Sequence, residues 1–277
     1  MQKEGNVVAF QGEHGAYSEQ AVFSHFGNTV MTEALRTLHE VFDAVEKGAV
    51  PYAVVPVENS LEGSVNETYD LLLRSSLKVG GEIELKIIHC LIAHTGTNIA
   101  DIEAVYSHPQ ALSQCRMFLE GKVWEIIPAY DTAGSVKMLK ERNMKQAAAI
   151  AGEISADAYG MQVLARGIQD QPNNYTRFFV ISKDESGPTG RDKTSIVFSV
   201  AHKPGTLYQA MEPFAKRGIN LTRIESRPTR QKPWEYHFFL DFEGHISDVK
   251  CKEALADLER IAAFTKALGS YPKAKES

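Results

Sequence analysis

From Val7 to Ile181 the chain keeps switching hydrophobic period, and this alternation restricts its fold more than any other feature. Apolar runs of strand length occupy residues 7–11, 51–57, 83–94, 103–107, 124–128 and 147–151. Between them lie stretches with helical spacing, at 17–26, 38–46, 65–74, about 110–120, 131–139 and 153–159. In the second of these, Leu38, Val41, Phe42 and Val45 share one face. Strand and helix in alternation predict an α/β domain with mostly parallel strands. The element order predicts that the chain leaves one α/β lobe, builds a second and returns through residues 173–181. Two lobes with a return crossing leave a cleft, a common place for a small ligand.

The polar stretch 183–193 holds Gly187, Pro188 and Gly190, lacks apolar anchors and reads as a linker. After it come a strand at 195–201, a helix from Pro204-Gly205 to about Arg217 closed by Gly218, strands at 220–226 and 234–242 joined by a turn, a helix at 248–258 and a last strand at 263–268. Pro213 inside the first of these helices predicts a bend or an irregularity. The order βαββαβ is the ferredoxin-like pattern. A chain of 277 residues suffices for two such domains.

Composition narrows the function. The net charge of -5 and the lack of a Lys/Arg-rich run argue against nucleic-acid binding. Three widely spaced cysteines, Cys90, Cys115 and Cys251, imply neither a disulfide framework nor a zinc cluster and fit a reduced compartment. The polar start, residues 1–6, runs into a strand without an apolar signal region, and no run is long enough for a membrane span, so a cytoplasmic location is expected.

Four segments place polar groups at the carboxyl ends of strands, where open α/β sheets bind ligands. Gln11-Gly12-Glu13-His14-Gly15-Ala16-Tyr17-Ser18 combines a glycine turn with a helix N-terminus, which offers free N–H groups to an anion. Glu58-Asn59-Ser60 supplies an acid or acceptor, an amide and a hydroxyl, and equally fits an N-cap and turn cluster. Ser107-His108-Pro109-Gln110 leads into a helix carrying Gln114, with Ser107 a candidate cap and His108 read as structural. Asn174-Tyr175-Thr176-Arg177-Phe178 sets a hydroxyl and a cation at the mouth of a strand. No metal-ligand spacing, phosphate loop with Lys or Gly-x-Ser-x-Gly elbow is present. The cleft, rich in amides, hydroxyls and helix N-termini, suits a small dicarboxylate or similar anion.

Together and in order, Phe10-Gln11-Gly12 with Gly15-Ala16-Tyr17-Ser18, Val57-Glu58-Asn59-Ser60, Ser107-His108-Pro109-Gln110-Ala111-Leu112 and Asn174-Tyr175-Thr176-Arg177-Phe178 resemble prephenate dehydratases. Gly205-Thr206-Leu207-Tyr208 and Glu225-Ser226-Arg227-Pro228 resemble the regulatory ACT domain of that family. The resemblance implies a two-lobed, type II periplasmic-binding-protein-like catalytic domain at 1–183, with lobe one at about 5–80 and 160–183 and lobe two at about 84–159. It also implies a linker at 184–194, an α+β ferredoxin-like ACT domain at 195–272 and a tail at 273–277.

The family converts prephenate to phenylpyruvate, water and carbon dioxide, a step in phenylalanine biosynthesis, without a cofactor or metal. By resemblance Thr176 hydrogen-bonds the departing hydroxyl, with Glu58 as the alternative acid and Asn59 beside them. Gln11, Tyr17, Ser18, Ser60, Ser107, Gln114 and Asn174 bind substrate carboxylates or hydroxyl. Arg177 pairs with a substrate carboxylate or braces the domain, and Phe178 walls the pocket or belongs to the core. Gly205, Thr206, Leu207, Glu225, Ser226, Arg227 and Pro228 are the expected phenylalanine site, a feedback switch at paired ACT domains in a homodimer or homotetramer. Thr206 and Tyr208 stand where the family often has Ala and a small aliphatic residue. No chorismate mutase helix precedes Val7, so a monofunctional chain is expected. The rival readings are arogenate dehydratase and a non-catalytic amino-acid-sensing or ligand-binding protein. The intact Thr176-Arg177-Phe178 argues against an inactive enzyme, and the missing signal region against a periplasmic receptor.

Overall fold

The alternation of periods becomes an alternation of strands and helices in the computed structural model, which describes residues 7–229 and 234–274. The polar start at 1–6, part of the turn before the last hairpin strand (230–233) and the end of the tail (275–277) lie outside the described residues. In chain order the elements are β1 (Val7–Gln11), α1 (Tyr17–Phe26), β2 (Met31–Leu35), α2 (Leu38–Lys47), β3 (Tyr52–Asn59), β4 (Gly63–Ser64), α3 (Asn66–Arg74), β5 (Lys78–Lys86) and β6 (Cys90–Ala93). After a single 3-10 turn come β7 (Ala104–Ser107), α4 (Pro109–Gln114), α5 (Arg116–Leu119), β8 (Glu125–Pro128), α6 (Thr132–Glu141), β9 (Ala147–Ala151), α7 (Glu153–Tyr159), β10 (Gln162–Arg166) and β11 (Tyr175–Ser182). The remainder is β12 (Asp192–Ser199), α8 (Thr206–Lys216), β13 (Leu221–Pro228), β14 (Tyr236–Glu243), α9 (Val249–Ile261) and β15 (Phe264–Pro272).

Two compact units result: the described part of Met1–Thr68 with Ile83–Phe178, and Tyr69–Glu82 with the described part of Phe179–Ser277. The division falls inside α3, β5 and β11.

The first unit carries two lobes. One is built on a sheet ordered β2-β1-β3-β11-β5, with β4 added to β3. The other sheet is ordered β10-β6-β9-β7-β8. β9 shows why a strand of small residues sits at its centre. Ala147, Ala149 and Ala151 pack with Val136, Leu139 and Ala156, while Ala148 and Ile150 pack on the opposite face with Ala111 and Cys115. Strand alternation thus feeds two cores, and small side chains let helices approach both faces. α2 is fixed at its start by a capping box: the Glu40 N–H donates to Thr37 Oγ1 at 3.1 Å and the Thr37 N–H to Glu40 Oε2 at 3.1 Å.

In the second unit the antiparallel sheet β13-β14-β12-β15 is covered on one face by α8 and α9, whose Phe214, Leu255 and Leu258 pack on Ile196, Phe198, Leu240 and Phe242. This is the expected ferredoxin-like arrangement. Its other partners are residues 69–82. Lys266 Nζ donates to the Leu72, Leu73 and Ser75 carbonyls at 2.8, 2.8 and 2.6 Å, satisfying the C-terminal end of α3. Lys193 Nζ donates to both oxygens of Glu82 at 2.9 and 3.0 Å, and both side chains are buried.

Several expectations need correction. The apolar run 83–94 is two strands, β5 and β6, in different sheets, separated at Ile87–His89 where the chain passes between lobes. The stretch 110–120 is two short helices divided at Cys115. β2, β4 and β10 carry no clear strand signal in the sequence. The linker ends earlier than its polarity implies: Asp192, Lys193 and Thr194 are buried residues of β12, and Asp192 accepts from the Thr189 and Gly190 N–H groups. Pro213 does lie inside α8, as the sequence places it, buried and with the helix running on to Lys216.

Candidate active site

The two crossings between the lobes lie side by side. The Ile87 N–H donates to the Asn174 carbonyl at 2.8 Å, and the Ile168 N–H to that of His89 at 3.1 Å. Beside them is a pocket of about 180 Å³, lined from one lobe by Tyr17, Ser18, Pro56, Asn59, Thr176 and Phe178. Its other walls are Ile87 and His89 of the crossing and His108, Gln110, Ala111, Gln114 and Thr132 beyond it. The first turns of α1, α4 and α6 all contribute, so helix N-termini from both lobes open on the pocket, and their partial positive charge favours an anion. The polar lining is made of hydroxyls, amides and two imidazoles rather than fixed charges.

Two glycines make room for this geometry. Gly15 has φ +86, and a Cβ there would stand 2.7 Å from Ser155 Cα. A Cβ on Gly152 would stand 2.9 Å from the Tyr17 ring. The turn before α1 does not leave every N–H free: the Gly15 N–H donates to Glu19 Oε2 at 2.6 Å, which leaves Tyr17 and Ser18 to face the pocket.

The polar groups form one connected series. Tyr17 O–H lies 2.8 Å from His89 Nδ1, and His89 Nε2 lies 2.9 Å from Gln114 Oε1. Burial pushes the His89 pKa down, although its bond to Gln114 opposes this, which favours the neutral ring. Gln114 Oε1 is an acceptor, since Asn174 Nδ2 also donates to it at 2.9 Å, and His89 therefore carries its proton on Nε2. Asn174, wholly buried, accepts in turn from Asn59 Nδ2 at 2.8 Å. Asn59 Nδ2 also reaches the Tyr175 carbonyl at 3.1 Å and Thr176 Oγ1 at 2.9 Å. Its Oδ1 accepts from the Leu61 and Glu62 N–H groups at 3.0 and 3.1 Å, which fixes the amide's orientation. Thr176 Oγ1 is thus an acceptor from Asn59. Among the described residues no acceptor holds its own hydrogen, which is free to turn toward a ligand.

Of the expected site residues, the pocket lining gathers Tyr17, Ser18, Asn59, Gln114, Thr176 and Phe178, with Asn174 directly behind. Gln11, at the end of β1, is outside the lining. Ser60 stitches the turn after β3 to β11: its hydroxyl donates to the Asn173 carbonyl at 3.1 Å and accepts from the Tyr175 N–H at 2.9 Å. Ser107 does not cap α4. Its hydroxyl is buried and donates to the Ile150 carbonyl at 2.5 Å, and the cap is His108, whose Nδ1 accepts from the Gln110 N–H at 3.2 Å. Arg177 alternates with Thr176 along β11, so it points to the opposite face, where it lies 3.9 Å from Glu58. Neither of that pair lines the pocket. The sequence reading passed over His89, whose one signal is an isolated imidazole in the apolar run Ile87-Ile88-His89-Cys90.

In the second unit a separate pocket of about 280 Å³ is lined by Gly205, Thr206, Leu207 and Tyr208 with His202, Trp234 and Phe238. Glu225, Ser226, Arg227 and Pro228 lie on the edge strand β13, away from that lining, and Arg227 pairs with Asp70 of α3 at 3.0 Å. No cluster of metal-binding side chains is present among the described residues, and no described helix is long and apolar enough to cross a membrane.

A two-lobed α/β domain with a neutral, amide-rich pocket, followed by a ferredoxin-like domain, defines a class of regulated small-molecule enzyme. Comparison with known proteins agrees: residues 8–186 match the prephenate dehydratase family and residues 194–260 the ACT domain. The chain belongs to the prephenate dehydratase family. It is 44% identical over 270 residues to the bifunctional chorismate mutase/prephenate dehydratase of Aquifex aeolicus, covering 96% of this chain and 74% of that one. It is 45% identical over 280 residues to arogenate dehydratase/prephenate dehydratase 2 of Arabidopsis thaliana, covering 96% and 72%. Among solved structures, the prephenate dehydratase of Arthrobacter aurescens in complex with L-Phe superposes with a TM-score of 0.88 at 33% identity, over 96% of this chain and 90% of that chain. GqqA, described as a novel type of quorum quenching acylase, superposes with a TM-score of 0.89 at 31% identity, over 96% and 98%.

Proposed function

We propose that this chain converts prephenate to phenylpyruvate, and that phenylalanine binding to the ACT domain restrains it. The observation that carries the reading is the Asn59–Thr176 hydrogen bond. In the reaction the ring C–O bond breaks and the ring carboxylate leaves as carbon dioxide, its bonding pair entering the ring. The departing hydroxide takes up one proton and leaves as water. Thr176, accepting from Asn59, is polarised to donate its hydrogen to the leaving oxygen as negative charge grows there. The helix N-termini and neutral amides receive the substrate carboxylates, and positioning supplies the rest because aromatisation drives the step. Glu58, turned toward Arg177, is a less suitable acid.

The same bond argues against acylase chemistry at this site. A nucleophilic hydroxyl needs a base to take its proton, whereas Thr176 faces a donor. Arogenate differs from prephenate by an amino group in place of the keto group, and relatives of both kinds exist. The ACT edge strand β13, with Ile224 exposed, and the exposed Phe264 support side-by-side pairing into a dimer or tetramer. The three buried free cysteines suit a reducing cytoplasm. The test is phenylpyruvate formation from prephenate and from arogenate, each with and without phenylalanine. No turnover of either substrate overturns the assignment, and indifference of rate and thermal stability to phenylalanine overturns the feedback.

A further inference from the structure

His89 is held more completely than a filler of the core requires. Its N–H donates to Gln169 Oε1 at 3.0 Å, its carbonyl accepts from the Ile168 N–H, and its ring stands edge-on to Tyr17 with centroids 5.6 Å apart. The outgoing crossing is thereby tied to the returning one at the residue whose two ring nitrogens meet pocket walls from opposite lobes. On one side Nδ1 meets Tyr17, and on the other Nε2–H meets Gln114.

The direction of the series is set from the Asn59 end, while at the other end the Tyr17 hydroxyl has one hydrogen to share between the Ile88 carbonyl at 3.0 Å and His89 Nδ1 at 2.8 Å. Asn59 is pinned by the N–H groups of Leu61 and Glu62, so its amide nitrogen faces Asn174 and Thr176. Asn174 must then present its own nitrogen to Gln114, whose oxygen has room for one more donor. His89 supplies it. A side chain that gives no hydrogen at the Nε2 position leaves Gln114 Oε1 with one donor instead of two and the amide steadied only by Asn174 and by its long 3.4 Å bond to Glu62, so Asn174 loses a firmly fixed partner to align it with Asn59.

We propose that His89 is a positioning residue for Thr176, acting through Gln114, Asn174 and Asn59, and that the hydrogen on its Nε2 is the feature required. This rests on the reading of Thr176 as donor to the leaving oxygen. Two substitutions separate the ring nitrogens. His89→Gln keeps a donor near the Nε2 position, and His89→Asn keeps a polar group only near Nδ1.

With prephenate as substrate, His89→Asn is expected to lower kcat about tenfold, the size of one lost hydrogen bond, while KM changes less than about threefold. His89→Gln is expected to restore kcat to within about threefold of the unaltered enzyme. In a Thr176→Val background His89→Asn should cost less than about twofold more, because the two act on one group. Equal losses in the Gln and Asn variants, or an undiminished loss in the Thr176→Val background, overturn the proposal. Nitrogen NMR of the unaltered protein, labelled at histidine and assigned by the signal missing in His89→Gln, tests the premise without relying on a weakened variant. A neutral imidazole with its proton on Nε2 supports it, and a proton on Nδ1 overturns it. If the unaltered enzyme forms no phenylpyruvate, the reading of function fails, while the NMR arm still judges the tautomer.

Discussion

Replacing Thr176 by valine removes one oxygen and keeps the shape, and the structure separates its two consequences. The Asn59 amide has two hydrogens and three acceptors: Asn174 Oδ1 at 2.8 Å, the Tyr175 carbonyl at 3.1 Å and Thr176 Oγ1 at 2.9 Å. When Thr176 loses its hydroxyl, the other two acceptors still take both hydrogens, so no buried donor is orphaned. The stability loss is then bounded by one net hydrogen bond, about 0.5–1.5 kcal/mol, which shifts Tm by roughly 1–3 °C in a chain of this size. Turnover falls much further. Withdrawing one donor from developing negative charge costs about 10²–10³ in kcat, roughly 3–4 kcal/mol. Thr176→Ser, which keeps the hydroxyl, should retain turnover within about tenfold of the unaltered enzyme. Phenylpyruvate absorbance gives the rate and thermal denaturation the stability. A folded valine variant with undiminished kcat would refute the role of Thr176. A Tm lowered by much more than this range would refute the accounting at Asn59.

Two further outcomes are expected. Glu82→Ala strands the buried Lys193 ammonium and should destabilise the second unit by about 3–5 kcal/mol, whereas a double replacement of Glu82 and Lys193 by Leu and Met should cost far less, as chemical denaturation of the two proteins will show. Burial holds the pKa of His89 and of His237 below the ordinary imidazole value of 6.5. The unfolded chain therefore binds more protons than the folded one as pH falls below that value, so this part of the stability is present above about 6.5 and is lost on acidification. Tm measured between neutral pH and mildly acidic pH should fall, and His89→Gln should flatten the dependence.

Much of the fold is legible because local pattern and final environment agree. Residues 147–151 and 153–159 become β9 and α7 without adjustment, since small apolar residues suit a strand covered on both faces and Gly152 separates the two. Elsewhere the environment overrides the pattern. β2 has the burial of an edge strand, so Met31–Leu35 lacks an apolar run. Between β5 and β6 the chain changes sheets with neither glycine nor proline to mark it, and the run 83–94 looks continuous. The same concealment hid His89, since a single imidazole among apolar residues looks like a core histidine until both nitrogens are seen to meet pocket walls. Ser107 misleads in the other direction. A serine before His-Pro has the chemistry of a helix cap, but tertiary structure spends its hydroxyl on Ile150.

The division of the chain inside α3, β5 and β11 has an evolutionary consequence. Residues 69–82 are encoded amid the catalytic lobe, yet Lys266, Arg227 and Lys193 from far downstream satisfy their carbonyls and carboxylates. The regulatory module is therefore not a detachable accessory. Ending the chain at the linker would strip α3 of its terminal donor and leave Glu82 without its cation. Shuffling such a domain between genes demands a graft with matching substitutions on both sides of the seam, so the two parts are expected to have been inherited and altered together.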